Sequence, residues 1–230
     1  MREMEGEWGA VAAVPEPAPR PPVPWEDLRL SGPEGFFCTL RDLLFRPGEF
    51  FDNLGRQGWA EPLAFALIVS SAGLLGGLFW QFLVLAPTGL KSGEALWLSS
   101  SLNLGPGGLL AMMAGAPLLV LIDLGVGSLC WWGCVALVGA DRDFTPAWRI
   151  FCYAQGGMVL GVIPLFGMLV AGIWVLALMY CGVKQVYGIS AWGALGALAI
   201  FLSLQALLGL ILVAGLMAAA ALLGFLMLLG

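Results

Sequence analysis

From Pro62 to Gly230 the chain carries only eight charged residues, four of each sign, and from Ala191 onward it carries none. A soluble domain carries about 25% charged residues. A stretch this long with so few cannot cover a water-facing surface. The other 17 charges lie in residues 1–61, so the chain divides into a small polar head and a long apolar body. This asymmetry predicts an all-α, polytopic transmembrane helix bundle. The chain contains no histidine, which excludes Ser-His-Asp and Cys-His catalytic sets and histidine-ligated zinc.

A membrane span needs about 20 residues at 1.5 Å rise each. Prolines, glycines and the few charges divide the apolar body into five spans, at about 62–86, 108–138, 146–163, 166–183 and 192–228. Pro117 falls inside the second and is expected to kink it. Thr145 reads as the N-cap of the third, with Pro146 at its first helical position. The last apolar run would be about 55 Å long as one helix. Splitting it would require a turn within 209–215, where no polar residue stands. One tilted or overhanging span is therefore expected. No signal peptide is visible, because the first long apolar run begins only after Pro62. With the head in the cytoplasm, Arg142, Arg149 and Lys184 also fall on that side and only Lys91 lies outside, as the positive-inside rule requires. Trp59, Trp148 and Trp192 then stand at cytoplasmic span ends as interface anchors.

Residues 1–35 are rich in proline and read as a disordered, extended tether. Residues 36–61 read as short amphipathic interfacial helices. Phe36, Phe37, Leu40, Leu43 and Leu44 share one helical face, with Thr39, Arg41, Asp42 and Arg46 mostly off it. Pro47 stops or restarts this helix, and Phe50 and Phe51 repeat the aromatic pattern. Phe36, Phe37, Leu40, Arg41, Phe50 and Phe51 are thus the candidate contacts to the interface or to a partner. The head holds 11 acids against 6 arginines, which argues against nucleic acid and against a polybasic lipid-binding segment. Its partners are expected to be the lipid bilayer and a protein bound through the head, with a homo-oligomer left open.

Asp123 is the one ionisable residue deep within an expected span, and an intramembrane carboxylate is a functional-site hypothesis by default. Ala116, Val120, Gly127, Cys130 and Cys134 share its helical face, so it is expected to face the bundle, with Gln155 and Gln205 as candidate partners at comparable depth. A packing role and a transport or proton-linked role are both open to it. Small-x-x-x-small pairs recur at Gly73/Gly77, Ala111/Gly115, Gly157/Gly161, Gly167/Ala171, Gly193/Ala197 and Gly215/Ala219; among 33 glycines these are expected to serve packing within the chain. The five cysteines form no C-x-x-C pair and read as small apolar residues. Phosphate-loop, dinucleotide and hydrolase motifs are absent from the sequence, and neither a metal nor a cofactor is expected.

The run Phe144-Thr145-Pro146-Ala147-Trp148-Arg149 leading to Tyr153-Ala154 is followed by Ile163-Pro164-Leu165-Phe166-Gly167, by Ile173-Trp174, and by Gly182-Val183-Lys184 with Tyr187-Gly188-Ile189-Ser190. In order and spacing this resembles the Yip family of membrane proteins, in its bacterial branch; the aromatic pairs of Phe36 to Phe51 resemble the same branch. The resemblance implies five spans, a cytoplasmic N-terminus, a place in the bacterial inner membrane and no known enzymatic activity. Pro146, Pro164, Gly167, Trp174, Gly182, Gly188 and Ser190 are its motif residues, and each has a structural reading. Eukaryotic members act in vesicle traffic with Rab-type partners through an Asp-Leu-Tyr-Gly-Pro stretch that this head lacks, so Rab binding does not carry over. The sequence reading is therefore a non-enzymatic membrane-organising or partner-binding scaffold, with a small transporter or channel using Asp123 with Gln155 or Gln205 as the alternative. An intramembrane enzyme ranks third, because one acid without a base or nucleophile beside it is a poor catalytic set.

Overall fold

The computed structural model describes residues 22–88, 106–139 and 142–229. A 3-10 turn at Pro24–Glu26 precedes α1 (Gly32–Phe45) and α2 (Pro47–Asp52). The long helices are α3 (Ala60–Thr88), α4 (Pro106–Leu137), α6 (Gly167–Tyr187) and α7 (Ala191–Leu229). Between α4 and α6 lies α5 (Phe144–Ala154), continued by a 3-10 segment, Gln155–Val162. Among the described residues four helices are long and apolar enough to cross a membrane, within Ala60–Trp80, Leu110–Leu137, Gly167–Tyr187 and Ala191–Gly215. The expected third span is instead divided, with α-geometry giving way to 3-10 at Gln155.

That divided rod is the centre of the molecule. Every residue from Pro146 to Gly157 is buried. It runs beside α3 in the same direction. The Phe65 and Tyr153 rings meet at 5.4 Å near one end, and Trp80 Nε1 donates to the Val162 carbonyl at 2.8 Å near the other. Glycine permits the close approach between them. A Cβ placed on Gly73 would lie 2.0 Å from the Met158 carbonyl oxygen, so the two backbones touch where no side chain fits. On the opposite flank, Gly157 abuts Val175 of α6 in the same way. α4 and α7 close the bundle through Trp131, Phe151 and Phe201, with Phe201 edge-on to Trp131 at 5.6 Å. α7 is a single unbroken helix, as one overhanging span requires; at 1.5 Å per residue its 39 residues reach about 58 Å, and from Ala206 to Gly215 every residue is exposed.

The motif residues have local reasons. Asp143, rather than Thr145, caps α5: its carboxylate accepts from the Thr145 N–H at 3.1 Å, so Pro146 is the third helical residue. A carboxylate at that position also favours the positive end of the helix dipole. Around Pro164 the chain reverses tightly, with Leu165 at a φ of 66° and the Phe166 N–H donating to Pro164 O at 2.8 Å. Gly188, at a φ of 62°, ends α6 in the left-handed conformation glycine adopts without strain, so that the helix runs on to Tyr187, beyond the expected boundary near Val183. Ser190 Oγ accepts from the Gly193 N–H at 3.1 Å and caps α7. Gly182 lets α6 lie against Ile150 and Phe51, and Trp174 is half-buried on α6.

The head departs from its sequence reading. Residues 22–35 were expected to belong to an extended tether, yet Val23 is buried and α1 begins at Gly32. α1 turns Gly35, Thr39 and Leu43 inward and leaves Phe37 65% exposed. Thr39 belongs to the buried face because its hydroxyl accepts the Trp25 backbone N–H at 2.9 Å. Phe50, Phe51 and Leu54 are buried, so α2 is part of the core. Residues 1–21 and the expected loop with Lys91 and Glu94 lie outside the described residues.

Candidate functional site

Burying an arginine is costly unless its donors are met, and Arg149 is fully buried on α5 at the head end of the bundle. Its side chain is met by two segments far from it in sequence and by Tyr153 on its own helix. Nη2 pairs with Glu26 Oε1 at 2.6 Å, from the turn before α1. Nη1 donates to the carbonyl oxygens of Gln57 and Gly58, in the loop before α3. Tyr153, one helical turn along α5, donates its hydroxyl to the same Glu26 oxygen, and its ring lies 5.7 Å from the guanidinium carbon. Among the described residues Nε of Arg149 has no partner. The guanidinium is planar and its donors are fixed in a fork, so one residue can hold an acid and a loop backbone together.

Aromatic rings enclose this clamp. Tyr153 meets Phe50 at 5.3 Å and Phe65 at 5.4 Å, and Phe65 meets Phe36 at 5.4 Å. Trp25, next to Glu26, adds a second fastening: its ring packs on Phe36, and its Nε1 donates to Glu61 O at 2.8 Å. Trp148 was expected to be an interface anchor at a span end. Instead it is buried, stacked on Trp59 and donating to the Trp59 carbonyl at 3.3 Å, while Trp59 and Trp192 remain exposed. The clamp thus ties the turn at Glu26, the loop at Gln57–Gly58 and the central rod into one rigid end.

Gly58 is fitted to this arrangement by its φ of 98°, and a Cβ there would lie 2.9 Å from Arg149 Nη1. Gly58→Ala is therefore expected to lower stability by about 1–3 kcal/mol through backbone strain and displacement of the guanidinium. Chemical unfolding of the detergent-solubilised protein, followed by tryptophan fluorescence, reads this out, and an unchanged midpoint refutes it.

Outside the clamp the head presents an open cleft of about 280 Å³, lined by Pro22, Pro24, Arg41, Arg46, Glu49 and Asn53 among others. Arg41 pairs with Asp42 at 2.9 Å, and this hydrogen bond raises its pKa further and keeps it charged. Arg46 lies 3.6 Å from Glu49. Of the candidate contacts, Phe37 and Arg41 face outward, Phe36 and Leu40 are half-buried, and Phe50 and Phe51 are buried.

The expected polar site is not assembled. Gln155 is buried in the central rod and Gln205 is half-buried on α7, whereas Asp123 is exposed on the outside of α4. The buried stripe of α4 runs through Ala116, Val120, Leu124, Gly127, Trp131 and Val135. At about 100° per residue, Asp123 falls at the edge of that stripe, while its small neighbours Ala116 and Gly127 lie within it. Sequence reading missed the clamp because Glu26 stands in a proline-rich stretch, more than 120 residues before its partner. The available signal was the Arg149–Tyr153 pair at i, i+4 on an otherwise apolar helix.

Among the described residues no group of histidine, cysteine and acidic side chains could hold a metal ion. Neither a curated protein nor a solved structure matches the chain. The family model of the Yip1 domain matches residues 41–214. That match takes in α2 through most of α7, including the rod, Arg149 and Tyr153 of the clamp and the loop at Gln57–Gly58, though not Glu26, and the chain is a member of the Yip1 domain family.

Proposed function

We propose that this Yip1-family protein is a non-enzymatic scaffold of a bacterial cytoplasmic membrane, with five spans and a cytoplasmic head that binds a protein partner. α5 and the 3-10 segment together make the third of the five spans. Eleven residues at 1.5 Å and eight at 2.0 Å give about 32 Å, the thickness of the hydrocarbon core. The head end of the bundle carries Arg142, Arg149 and Lys184 as well as the arginines of the head, which supports a cytoplasmic placement.

The observation that carries this reading is the clamp. A head meant only as a tether needs no buried ion pair. This one is fixed to the central rod by Glu26, Arg149 and Tyr153, and it displays Phe37, Arg41, Phe45 and Arg46 outward, beside the cleft. Exposed aromatic and arginine side chains held on a rigid support are what a recognition surface needs.

Deleting Phe36–Leu54 would be a poor test, because Leu43, Phe50, Phe51 and Leu54 belong to the core. Surface substitution avoids that difficulty. Phe37→Ser combined with Arg41→Glu is expected to abolish an in-cell crosslink to a partner while leaving membrane insertion and thermal stability unchanged. A crosslinking pattern identical to wild type would overturn the scaffold reading.

A further inference from the structure

The turn Pro24–Glu26 sits against the bundle as a bound peptide sits in a receptor. The Pro24 carbonyl oxygen lies 2.5 Å from where a Cβ on Gly35 would stand, so only glycine leaves room for it. The Trp25 backbone N–H donates to Thr39 Oγ1, its indole N–H donates to Glu61 O, and its ring packs on Phe36 and Phe65. Glu26 Oε1 accepts from both Arg149 and Tyr153. Arg149, Tyr153, Phe65 and Glu61 lie within the stretch matched by the Yip1 domain, and the seated turn lies before it. Residues 27–30 join the turn to α1; Leu28 there is wholly exposed, and the Arg29 and Leu30 N–H groups donate only back to Asp27. Nε and Nη2 form one edge of the guanidinium, spaced to receive both oxygens of a carboxylate. Glu26 engages Nη2 with one oxygen, and among the described residues the buried Nε has no partner.

We propose that the pocket around Arg149 is a recognition site for an acidic-aromatic peptide, a tryptophan followed by a carboxylate. Trp25–Glu26 is its resident occupant in cis, and such a segment of a partner protein displaces it. The unmet Nε is what points to a further ligand. A carboxylate free of the turn's geometry takes Nε and Nη2 together, where Glu26 takes one. The rings of Phe36 and Phe65 wall the tryptophan site, and the Glu61 carbonyl reads the indole N–H. A segment fastened through so few residues opens locally more readily than the bundle unfolds. Its link to α1 keeps its effective concentration high, so the closed form is the major state and an incoming peptide competes with it. The inference rests on the scaffold reading for its partner, but its test uses none, so the two fail separately.

The test uses the full chain in detergent micelles and a fluorescein-labelled peptide of residues 22–30, with binding followed by fluorescence anisotropy. A chain carrying Trp25→Ala with Glu26→Ala vacates the pocket. It is expected to bind the peptide at least about tenfold more tightly than wild type, where the cis segment competes. A peptide carrying Glu26→Ala is expected to bind that chain about tenfold more weakly than the native peptide, the size of one hydrogen bond to a charged group. Amide hydrogen exchange of the wild-type chain needs no variant. Trp25 and Glu26 are expected to exchange through an opening that low denaturant leaves unchanged, whereas Ile150 and Phe151 of α5 exchange with unfolding and accelerate as denaturant is added. No binding by a folded double variant, equal affinity for wild type, indifference to the peptide's carboxylate, or one denaturant dependence shared by Glu26 and Phe151 would each overturn the proposal.

Discussion

Arg149→Met is expected to destabilise the folded bundle by about 3 kcal/mol, the low end of the cost of breaking a buried ion pair, because the Glu26 side chain left behind keeps 20% exposure. Methionine nearly fills the volume, so the loss measures the polar clamp rather than a cavity. Three acceptors lose the guanidinium at once: the carbonyls of Gln57 and Gly58, and the Glu26 carboxylate, which keeps only the Tyr153 hydroxyl. Arg149→Lys keeps the charge but not the fork, so it is expected to recover part of the loss. Glu26→Gln keeps an acceptor for both Arg149 and Tyr153 and is expected to cost less than Arg149→Met. Because the two side chains touch, the double variant should cost clearly less than the sum of the single ones. Denaturant titration in detergent micelles, followed by circular dichroism, gives all four values. An Arg149→Met protein within about 0.5 kcal/mol of wild type, the range of an ordinary surface substitution, would show that the clamp contributes nothing to the fold.

The second large effect is expected at Gly73, where α3 lies on the central rod. A Cβ there would meet the Met158 carbonyl oxygen at 2.0 Å and its carbon at 2.8 Å. Both are backbone atoms and cannot rotate aside, so the helices themselves must separate. Gly73→Ala is expected to cost about 1–3 kcal/mol, and Gly73→Leu more. Gly172 on α6 is the control, with nothing within 4 Å of its Cβ position. Gly172→Ala is expected to be neutral or to stabilise by up to about 1 kcal/mol, because alanine is the better helix former. The two glycine-to-alanine changes thus have opposite expected signs. Equal midpoints in the same unfolding assay would contradict the backbone contact between α3 and the rod.

These two positions also separate what was legible from what was not. The small-x-x-x-small pairs at Gly73/Gly77, Gly157/Gly161 and Gly167/Ala171 were readable as packing sites, and these three lie at contacts within the chain. Gly115 and Gly215 belong to the same kind of pair, yet among the described residues nothing lies within 4 Å of where their Cβ would stand. The pattern specifies a helix face that can be approached closely, and says nothing of which neighbour approaches it. Asp123 illustrates the same limit, since its face was assigned from small neighbours that are indeed buried, but it lies at their edge. In a helix of uniformly apolar residues, hydrophobic periodicity cannot distinguish a lipid-facing side from a protein-facing one, because both are apolar.

The division of charge between a polar head and an almost uncharged body was enough to establish a helical membrane bundle, because backbone groups in lipid must be satisfied within each helix. The motif residues were likewise readable as structural, since helix caps, tight turns and glycine contacts are local requirements. Only the tertiary structure decided that the central rod changes to 3-10 geometry at Gln155, that the head from Pro22 onward is part of the bundle, and that Arg149 is its fastening. Those outcomes depend on which segments meet. Glu26 and Arg149 each read alone as a solvated charge at a membrane surface, and burial of the pair becomes favourable only once the fold has placed them against each other.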